Sequence, residues 1–345
     1  MKKFEGEKIE KNRMRAMILR KCRVIQENPL ELADMPVPEP GPEDILVRVK
    51  FCGVCHTDLH TVEGELPEVK LPIIPGHQVV GIVEIKGKNA SRFRMGDKVG
   101  VAWLYSACGR CAFCRRGNEN LCENARFTGY HVNGGYTEYI VVPEKFAYPL
   151  PEGFSDEEVA PLLCAGIIGY RALRLSEIKP GSRLGLYGFG ASAHVAIQVA
   201  KHWKCKVYVF SRSEKHRALA KSLGAAWTGT TKEDPPAKMH SSIIFAPAGE
   251  LVLDALKCLE KGGTVACAGI YMTPIPEIDY GKYLYHERTL RSVANATRKD
   301  GDELLQIAAQ VPIRTTTQLF PLEEANKALQ LLKAGQIDGA AVLKI

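Results

Sequence analysis

Short apolar segments with an alternating pattern fill the first part of the chain, from about Met14 to Pro151. Segments such as RAMILR, VVGIVEI and YTEYIVVP alternate apolar with polar residues and are separated by glycine and proline. This alternation is typical of half-buried β-strands joined by turns. We therefore predict a β-rich domain over residues 14–158.

From about Asp156 the pattern changes, and strand-like segments alternate with helix-like ones. SDEEVAPLLCAGIIGYRALR predicts one helix, which Ser155 caps and whose first acidic residues suit the positive end of its dipole. Strand–helix pairs follow: SRLGLYGF with SAHVAIQVAKHW, KVYVF with KHRALAKSLG, and SSIIFAP with ELVLDALKCLEKGG, before a further strand TVACAGI. This alternation predicts an α/β fold whose doubly wound parallel sheet carries crossover helices.

The two ends of the chain complete the predicted domain organisation. The C-terminal FPLEEANKALQLLKAGQIDGAAVLKI predicts a helix and a strand, which we expect to return and pack on the first domain. Residues 304–345 are therefore assigned to the β-rich domain and residues 159–303 to the parallel-sheet domain. The charged residues 1–13 are predicted to be a solvated tail.

Composition indicates a globular protein that handles small molecules. Of the 345 residues, 46% are hydrophobic and 25% charged, as in soluble globular proteins. The net charge of +7 is mild for this length, which argues against nucleic-acid binding. The longest apolar stretch, VAPLLCAGIIGY, has 12 residues and cannot span a membrane, and the N-terminus lacks the apolar region of a secretory signal. We expect a cytoplasmic protein with neither a membrane nor a nucleic-acid partner.

The eleven cysteines point to metal rather than to disulfides. An odd number in a cytoplasmic chain argues against a disulfide framework. Four of them follow the spacing C-x2-C-x2-C-x7-C: Cys108, Cys111, Cys114 and Cys122. Four thiolates satisfy tetrahedral zinc and leave no open position, so this site would be structural. Metal-free thiols, an iron–sulfur cluster and a zinc-ribbon nucleic-acid module are the alternatives.

A second set of ligand-type residues is spread along the chain. Cys55 lies in GVCHTDLH, His77 lies 22 residues further on in LPIIPGHQVVG, and Cys164 lies on the predicted helix after the β-rich domain. Together they would form a Cys2His site with one open position, as a catalytic zinc requires. Taken singly, each is a weak signal, because a lone cysteine on a helix is more often part of a core.

These motifs together resemble the zinc-dependent alcohol dehydrogenases of the medium-chain dehydrogenase/reductase superfamily. The resemblance covers nearly the whole chain after the tail, since CGVCHTDLH, PGHQVVG, the four-cysteine segment, CAGIIGY and GFGASA occur in the family's order. It implies a GroES-like catalytic domain that carries two zinc ions, one catalytic and one structural, and a Rossmann domain that binds a nicotinamide cofactor. It also implies hydride transfer between NAD(P)(H) and short primary alcohols or aldehydes.

The same resemblance assigns roles around the catalytic zinc. Asp58 would accept a hydrogen bond from the far nitrogen of the ligand His77. Thr57 would lie beside the substrate oxygen, and His60 would end a proton relay, because zinc lowers the pKa of a bound alcohol. The family usually has glutamate after the ligand histidine, whereas this chain has Gln78. This difference is expected to affect zinc affinity and turnover rather than the type of reaction.

A glycine-rich loop predicts the cofactor site. LGLYGFGASAH places Gly188, Gly190 and Ala193 as G-x-G-x-x-A between a strand and a helix, the context that dinucleotide binding requires. The glycines allow a tight turn and a close approach of the pyrophosphate to the helix N-terminus. Ala191 stands where the family often has a third glycine.

The end of the next strand bears on cofactor preference. An acidic residue there would bind the ribose 2′-hydroxyl of NAD, whereas this chain has Ser211 and Arg212, which suit the 2′-phosphate of NADP. His216 and Arg217 are candidates to assist. We therefore predict a preference for NADP(H). In the alternative, Arg212 stacks on adenine and Glu214 turns to the ribose, which would give NAD or dual use.

The resemblance also suggests an arginine at the cofactor and the lining of the substrate pocket. Arg298 in VANATRKD would contact the pyrophosphate, the alternative being a solvated surface arginine. Trp103 and Tyr130 would line the pocket and favour short, unbranched substrates, with Ile168 and Ile270 as apolar wall. In the alternative, Trp103 is only part of the core.

Two rival functions stay open at this point: a polyol or threonine-type dehydrogenase of the same superfamily, and a non-catalytic zinc- and nucleotide-binding redox sensor. The metal ligands argue against a zinc-free quinone reductase, because such enzymes lack them. Relatives are dimers or tetramers, so we expect a homodimer or homotetramer that associates through the sheet edge near TVACAGI and LYHERTLRSVA.

Overall fold

A computed structural model describes residues 12–311 and 313–345 of the chain. The predicted tail, residues 1–13, lies outside the described residues except for its last two positions. Within the described ranges, none of the helices combines the length and apolar character that crossing a bilayer requires.

Strands dominate the first part of the chain and recur to its end. They are β1 (Arg13–Leu19), β2 (Leu30–Pro36), β3 (Asp44–Gly53), β4 (Gln78–Lys86), β5 (Lys98–Val101), β6 (Leu104–Ser106), β7 (Arg126–Phe127), β8 (Tyr139–Pro143), β9 (Ala147–Pro149), β10 (Arg183–Tyr187), β11 (Lys206–Phe210), β12 (Trp227–Gly229), β13 (Met239–Ile244), β14 (Leu259–Cys267), β15 (Thr289–Ser292), β16 (Thr317–Pro321) and β17 (Ala340–Lys344).

Helices are short in the first part and longer in the second. They are α1 (His56–Glu63), α2 (Ala112–Arg115), α3 (Asp156–Val159), α4 (Ala165–Leu175), α5 (Ala191–His202), α6 (Glu214–Ser222), α7 (Leu251–Lys257), α8 (Arg298–Gln310) and α9 (Ala325–Lys333). Single 3-10 turns lie at 25–27, 119–121, 144–146, 160–163 and 322–324, and a π-helical turn lies at 280–284.

The β-rich domain is built on one seven-stranded sheet with the order β16-β17-β3-β4-β5-β9, and β8 also pairs with β3. The pairing of β17 with β3 is antiparallel and brings the C-terminal strand onto this sheet. In the register of β3 on β4, Gly53 lies opposite Gln78. This register places the loops that follow β3 and precede β4 side by side, and those loops carry Cys55 and His77.

The second domain is a six-stranded parallel sheet with the order β12-β11-β10-β13-β14-β15. The predicted α/β class with a β-rich domain and a doubly wound parallel sheet is thus confirmed. The order reverses between β10 and β13, and ligands of such sheets bind at the carboxyl ends of the strands beside this reversal. The glycine-rich loop follows β10 at that point.

The predicted single helix over SDEEVAPLLCAGIIGYRALR is wrong in one respect. It is divided into α3, a 3-10 turn at 160–163 and α4, and Cys164 stands at the break with φ −132° and ψ −71°. Proline at position 161 lacks the N–H group that a continuous α-helix needs, which favours the change of winding there. The break makes Cys164 the residue before the first turn of α4.

Helix α8 lies where the two domains meet. It spans the predicted domain limit between residues 303 and 304, which stays a prediction. Its apolar residues Leu304, Leu305 and Ala308 belong to a core cluster that also includes Val80, Tyr148 and Val342 of the β-rich domain. The two domains are therefore joined by a continuous apolar core beside this helix.

Candidate functional site

Cys55 and Asp58 together fix the start of helix α1. The Sγ atom of Cys55 accepts the backbone N–H of Thr57 at 3.5 Å, and Oδ2 of Asp58 accepts the backbone N–H of Cys55 at 2.9 Å. Such reciprocal bonds satisfy N–H groups that a helix leaves unpaired at its first turn. The sequence CHTD thereby holds the Cys55 thiol at a defined position.

Asp58 also orients His77, which is fully buried. The Nδ1 atom of His77 lies 2.8 Å from Oδ1 of Asp58, and the same oxygen accepts the backbone N–H of Gly76 at 3.2 Å. Burial lowers the pKa of His77, but the charge of Asp58 and the hydrogen bond to it outweigh this effect and raise the pKa to about 10. The contact engages Nδ1 as a donor to Asp58 and turns Nε2 the other way, where a bound metal ion would replace the second proton.

The predicted ligands Cys55, His77 and Cys164 converge in one place. Their ligand atoms lie within 4.8 Å of one another, and the two sulfurs are 3.9 Å apart. Among the described residues, Nε2 of His77 has no hydrogen-bond partner although it is buried. An unpaired buried nitrogen facing two sulfurs is costly unless a cation lies between them. Two sulfurs and one nitrogen fit zinc and leave a fourth position open.

The four clustered cysteines also fit a metal. The sulfurs of Cys108, Cys111, Cys114 and Cys122 lie within 4.8 Å of one another. The backbone N–H groups of Cys108, Cys111 and Cys114 donate to sulfurs of the same set at 3.4–3.5 Å. The backbone N–H of Arg110, with that of Cys111, lowers the pKa of Cys108 to about 6. Three of the four sulfurs accept such bonds, those of Cys108, Cys111 and Cys122, and the set of four fits a tetrahedral zinc ion.

The predicted relay residues lie on α1 at successive depths. Thr57 is buried, and its Oγ1 atom is 3.7 Å from the Cys55 sulfur. His60 lies one turn further on, nearer the surface, and its Nδ1 atom is hydrogen-bonded to the carboxylate of Glu65. The pairing of Glu65 with His60 was not predicted from the sequence. Glu65 lies beyond the end of the helix, and the turn at Gly64 brings it back towards His60.

An aromatic cluster adjoins the catalytic metal ligands. The ring of Trp103 meets that of His77 edge-on, with a centroid distance of 5.0 Å and an angle of 75°. Trp103 also lies 5.6 Å from Tyr130 and is stacked on Phe127 at 5.2 Å. Trp103 and Tyr130 are thus brought together beside the site. By contrast, Ile270, which was also predicted to line the substrate pocket, is 56% exposed to solvent.

Gln78 is buried directly after the ligand His77. Its side chain lies against the backbone of Gly53, where an added Cβ atom would be 2.9 Å from Cδ of Gln78. The glycine in CGVC therefore makes room for the long amide side chain at the start of β4.

The glycine-rich loop has the geometry that its motif predicts. Gly188 follows β10 with φ 85°, and an added Cβ atom there would lie 2.9 Å from the backbone nitrogen of Ala246. Gly190 has open space around it and precedes α5, which Ala191 begins. Ala193, in the first turn of that helix, is fully buried. The loop thus turns tightly and leaves its outer face open to a phosphate.

The loop after β11 is braced by a residue further along the chain. Nη1 of Arg217 donates to the backbone oxygens of Ser211 at 2.7 Å and Arg212 at 3.0 Å. The side chain of Arg212 is exposed, as is that of Glu214. Ser213 caps α6 by accepting the backbone N–H of His216 at 3.3 Å. Arg217 therefore shapes this loop through its backbone.

Arg298, predicted to contact the pyrophosphate, is paired with a residue of the four-cysteine segment. Its Nε atom donates to Oε1 of Glu119 at 3.1 Å, and its guanidinium lies 4.7 Å from the ring centroid of Phe146. Glu119 was missed in the sequence because its partner lies 179 residues away. The one signal was an acidic residue in NENLC, within a segment rich in arginine.

Two family models match the chain on either side of the domain junction. The "Alcohol dehydrogenase GroES-like domain" matches residues 41–152, and the "Zinc-binding dehydrogenase" domain matches residues 193–310. A "Probable alcohol dehydrogenase AdhA" of Mycobacterium tuberculosis is 48% identical over 337 residues, which cover 96% of this chain and 97% of that protein.

Solved structures agree with this similarity. A cobalt- and zinc-bound thermostable alcohol dehydrogenase from Pyrobaculum aerophilum superposes with a TM-score of 0.87 at 26% identity, covering 96% of this chain and 100% of that one. CAD from Helicobacter pylori, complexed with NADP(H), has a TM-score of 0.85 at 26% identity, covering 96% and 98%.

The class that fold and site define is a two-domain dehydrogenase with a GroES-like and a Rossmann domain. The chain belongs to the zinc-dependent alcohol dehydrogenases of the medium-chain dehydrogenase/reductase superfamily. It is an oxidoreductase that interconverts alcohols and aldehydes with a nicotinamide cofactor. The activity that the motifs implied is thus confirmed as a class.

Proposed function

We propose that the chain reduces short aldehydes and oxidises short primary alcohols, with one catalytic zinc, one structural zinc and NADP(H) as the preferred cofactor. The observation that carries the proposal is the convergence of Cys55, His77 and Cys164, with the buried Nε2 atom of His77 facing the two sulfurs. The four-cysteine cluster supports the second metal.

Zinc held by Cys55, His77 and Cys164 would supply a Lewis acid that lowers the pKa of the substrate alcohol. Thr57 would receive the proton of the alcohol at Oγ1 and release its own hydroxyl proton towards His60, a role supported by its position beside the Cys55 sulfur. His60 takes up a proton at Nε2, because its Nδ1 atom is engaged by Glu65. Asp58 holds the His77 imidazole in the tautomer that leaves Nε2 free.

Cofactor preference rests on the loop after β11. Ser211 and Arg212 bring no carboxylate to the position where NAD-dependent sheets bind the ribose hydroxyls. The exposed guanidinium of Arg212 suits a 2′-phosphate, and Gly188, Gly190, Ala191 and Ala193 would receive the pyrophosphate.

Substrate size rests on Trp103. Its ring lies edge-on to the ligand His77, with Tyr130 as its neighbour, so bulky groups would meet aromatic carbon close to the metal. This arrangement favours short, unbranched substrates. A set of linear and branched aldehydes of equal carbon number tests the point, and equal kcat/KM for both would contradict it.

We also infer a cytoplasmic homodimer or homotetramer. Two thiol clusters and an odd number of cysteines suit a reducing compartment. The edge strand β15 is mostly exposed, and the segment before it exposes apolar side chains at Ile270, Tyr271, Ile275 and Tyr280. An open edge with exposed apolar groups is typical of a surface that pairs with a second copy. Light scattering of the purified chain tests this inference.

The experiment that tests the proposed function is aldehyde reduction by the zinc-loaded chain, with and without a chelator. Turnover that the chelator abolishes and zinc restores is expected. Nucleotide binding without turnover over a broad set of aldehydes would instead favour a non-catalytic sensor.

A further inference from the structure

The four-cysteine segment touches the parallel-sheet domain through two buried polar residues. Nδ2 of Asn120 donates to the backbone oxygen of Ala294 at 2.7 Å. Oε1 of Glu119 accepts both the backbone N–H and Nε of Arg298, each at 3.1 Å. Glu119 and Asn120 are each 6% exposed, and the metal ligand Cys122 lies two residues after Asn120. The side chains of Glu119 and Asn120 are therefore desolvated within the cysteine loop itself, whereas the side chain of Arg298 is 41% exposed.

The contacts reach the part of the second domain that faces the cofactor. Ala294 lies within the loop 293–297, and Arg298 directly follows it; this loop leaves the carboxyl end of β15 and leads into α8. Ligands of a doubly wound sheet bind at the carboxyl ends of its strands. Glu119 also lies at the first residue of α8, where a carboxylate is favoured by the helix dipole.

A further polar chain leads from α8 to the catalytic site. Asp300, in the first turn of α8, closes a capping box with Thr297 and accepts Nη1 of Arg171 at 2.6 Å. Arg171 is on α4, and Cys164 stands directly before α4. The four-cysteine segment, the loop after β15 and the helix behind Cys164 thus form one connected set of buried contacts.

We propose that Glu119 and Asn120 are positioning residues that couple the metal-loaded four-cysteine segment to cofactor binding. They hold loop 293–297 and the start of α8 in the shape that receives the cofactor. The four-cysteine segment then has a functional role besides stability. This inference rests on the proposed cofactor site of the parallel-sheet domain.

The inference also changes the role of Arg298. Its guanidinium is held between the Glu119 carboxylate and the Phe146 ring. In this arrangement the Nε atom of Arg298 is engaged by Glu119, and the residue supports the loop. Support of the loop and binding of the pyrophosphate predict opposite changes in the cofactor Kd when the Glu119 charge is removed. If Arg298 supports the loop, the Kd rises. If Arg298 binds the pyrophosphate, its release from Glu119 strengthens that contact and the Kd falls.

The test measures direct binding of NADPH and NADH, by nicotinamide fluorescence, to the zinc-loaded full chain and to Glu119→Gln. Glutamine keeps the shape of glutamate and removes its charge. Loss of a partly buried charge-assisted hydrogen bond is expected to raise the Kd of the preferred cofactor roughly five- to tenfold. An unchanged or lower Kd would overturn the coupling, and an unchanged Kd with a lower melting temperature would mark the contact as purely structural.

Two further variants complete the experiment. Asn120→Ala removes the independent contact to Ala294 and is expected to raise the cofactor Kd as well. It keeps the proposal testable if Glu119→Gln folds poorly. Asp302→Asn is the matched control, because Asp302 faces Arg92 across the same domain junction at 3.8 Å, with both side chains partly exposed. Such a pair contributes little, so its removal should leave the Kd unchanged. An equal rise in Asp302→Asn would contradict the specific role of Glu119.

Coupling must be reciprocal, which supplies a readout independent of catalysis. Bound cofactor should slow the loss of the structural zinc to a chelator in the wild-type chain and lose that effect in Glu119→Gln. Equal protection in both chains would overturn the proposal. If the wild-type chain binds neither NADPH nor NADH, the proposed function fails together with the coupling, whereas an unchanged Kd in Glu119→Gln overturns the coupling alone.

Discussion

The Nδ1 atom of His77 lies 2.8 Å from Oδ1 of Asp58, and both side chains are buried. Asp58 also accepts backbone N–H groups from Cys55 and Gly76. One carboxylate therefore positions two of the three catalytic ligands. This arrangement explains why a short stretch of sequence, CHTD, can build half of a metal site whose other parts lie far along the chain.

The first prediction concerns this carboxylate. Asp58→Asn is expected to weaken zinc binding at the catalytic site by about 10- to 100-fold, as loss of a partner behind a ligand histidine does. The zinc retained after dialysis against a graded chelator measures the effect. Asp34→Asn, which breaks an exposed pair with Arg13, is the control. Equal zinc retention in Asp58→Asn and the control would contradict the assigned role.

The second prediction separates the two metal sites. Cys111→Ser is expected to lower bound zinc from about two ions per chain to about one and to lower the melting temperature, because a structural zinc contributes directly to folding. Metal analysis with a melting curve measures both. Cys258→Ser is the control, since Cys258 belongs to neither metal cluster. Two retained zinc ions in Cys111→Ser would show that the four-cysteine segment does not bind one.

The third prediction concerns cofactor preference. Arg212→Gln is expected to lower kcat/KM for NADPH by about tenfold or more and to leave that for NADH nearly unchanged, because a charge-assisted bond to phosphate is lost. Lys215→Gln removes a nearby exposed charge that pairs with Asp338 instead, so its preference should stay that of the wild type. An equal loss with both cofactors in Arg212→Gln would argue against a 2′-phosphate contact.

The sequence was sufficient for features that depend on local pattern or on residue chemistry. Alternating strands and helices predicted the parallel sheet, and cysteine spacing predicted the four-thiol cluster, because both depend on short-range order. The ligand set of Cys55, His77 and Cys164 came from a family resemblance, since no local spacing links residues 109 positions apart.

The features that sequence reasoning missed depend on tertiary contact. The break at Cys164 was not predicted because its apolar surroundings look helical throughout, although Pro161 gave a local hint. The pair of Glu119 with Arg298 joins segments that meet only after both domains have formed. Arg217 donates to backbone oxygens of its loop, and every residue type has such an oxygen. The sequence of the loop therefore does not predict this contact.

The fourth prediction concerns the buried ion cluster of Asp300. Burial raises the pKa of Asp300, but hydrogen bonds from Thr297 and the charge of Arg171 outweigh it and hold the pKa below its ordinary value of 3.8. Asp300→Asn leaves the buried Arg171 without its charge partner and is expected to cost about 3–5 kcal/mol of unfolding free energy at pH 7. Urea unfolding at several pH values measures the difference.

The sign of the pH dependence follows from linkage. A carboxylate whose pKa is lower in the folded chain stabilises the fold above the unfolded value and loses this effect as the pH falls through the folded value. The difference between wild type and Asp300→Asn should therefore be constant from pH 5 to 8 and shrink only below about 3.8. A difference that changes between pH 5 and 8 would contradict the assigned ionisation.

The most direct test of the catalytic site is the rate of NADPH and NADH oxidation with a short aldehyde, for the wild-type chain and for Cys164→Ser, with zinc counted in both. The wild type should oxidise NADPH faster than NADH and hold two zinc ions per chain, in accord with two ligand clusters. Cys164→Ser should lose turnover together with one zinc. Full turnover by Cys164→Ser, or none by a wild-type chain that holds both zinc ions, would contradict the account.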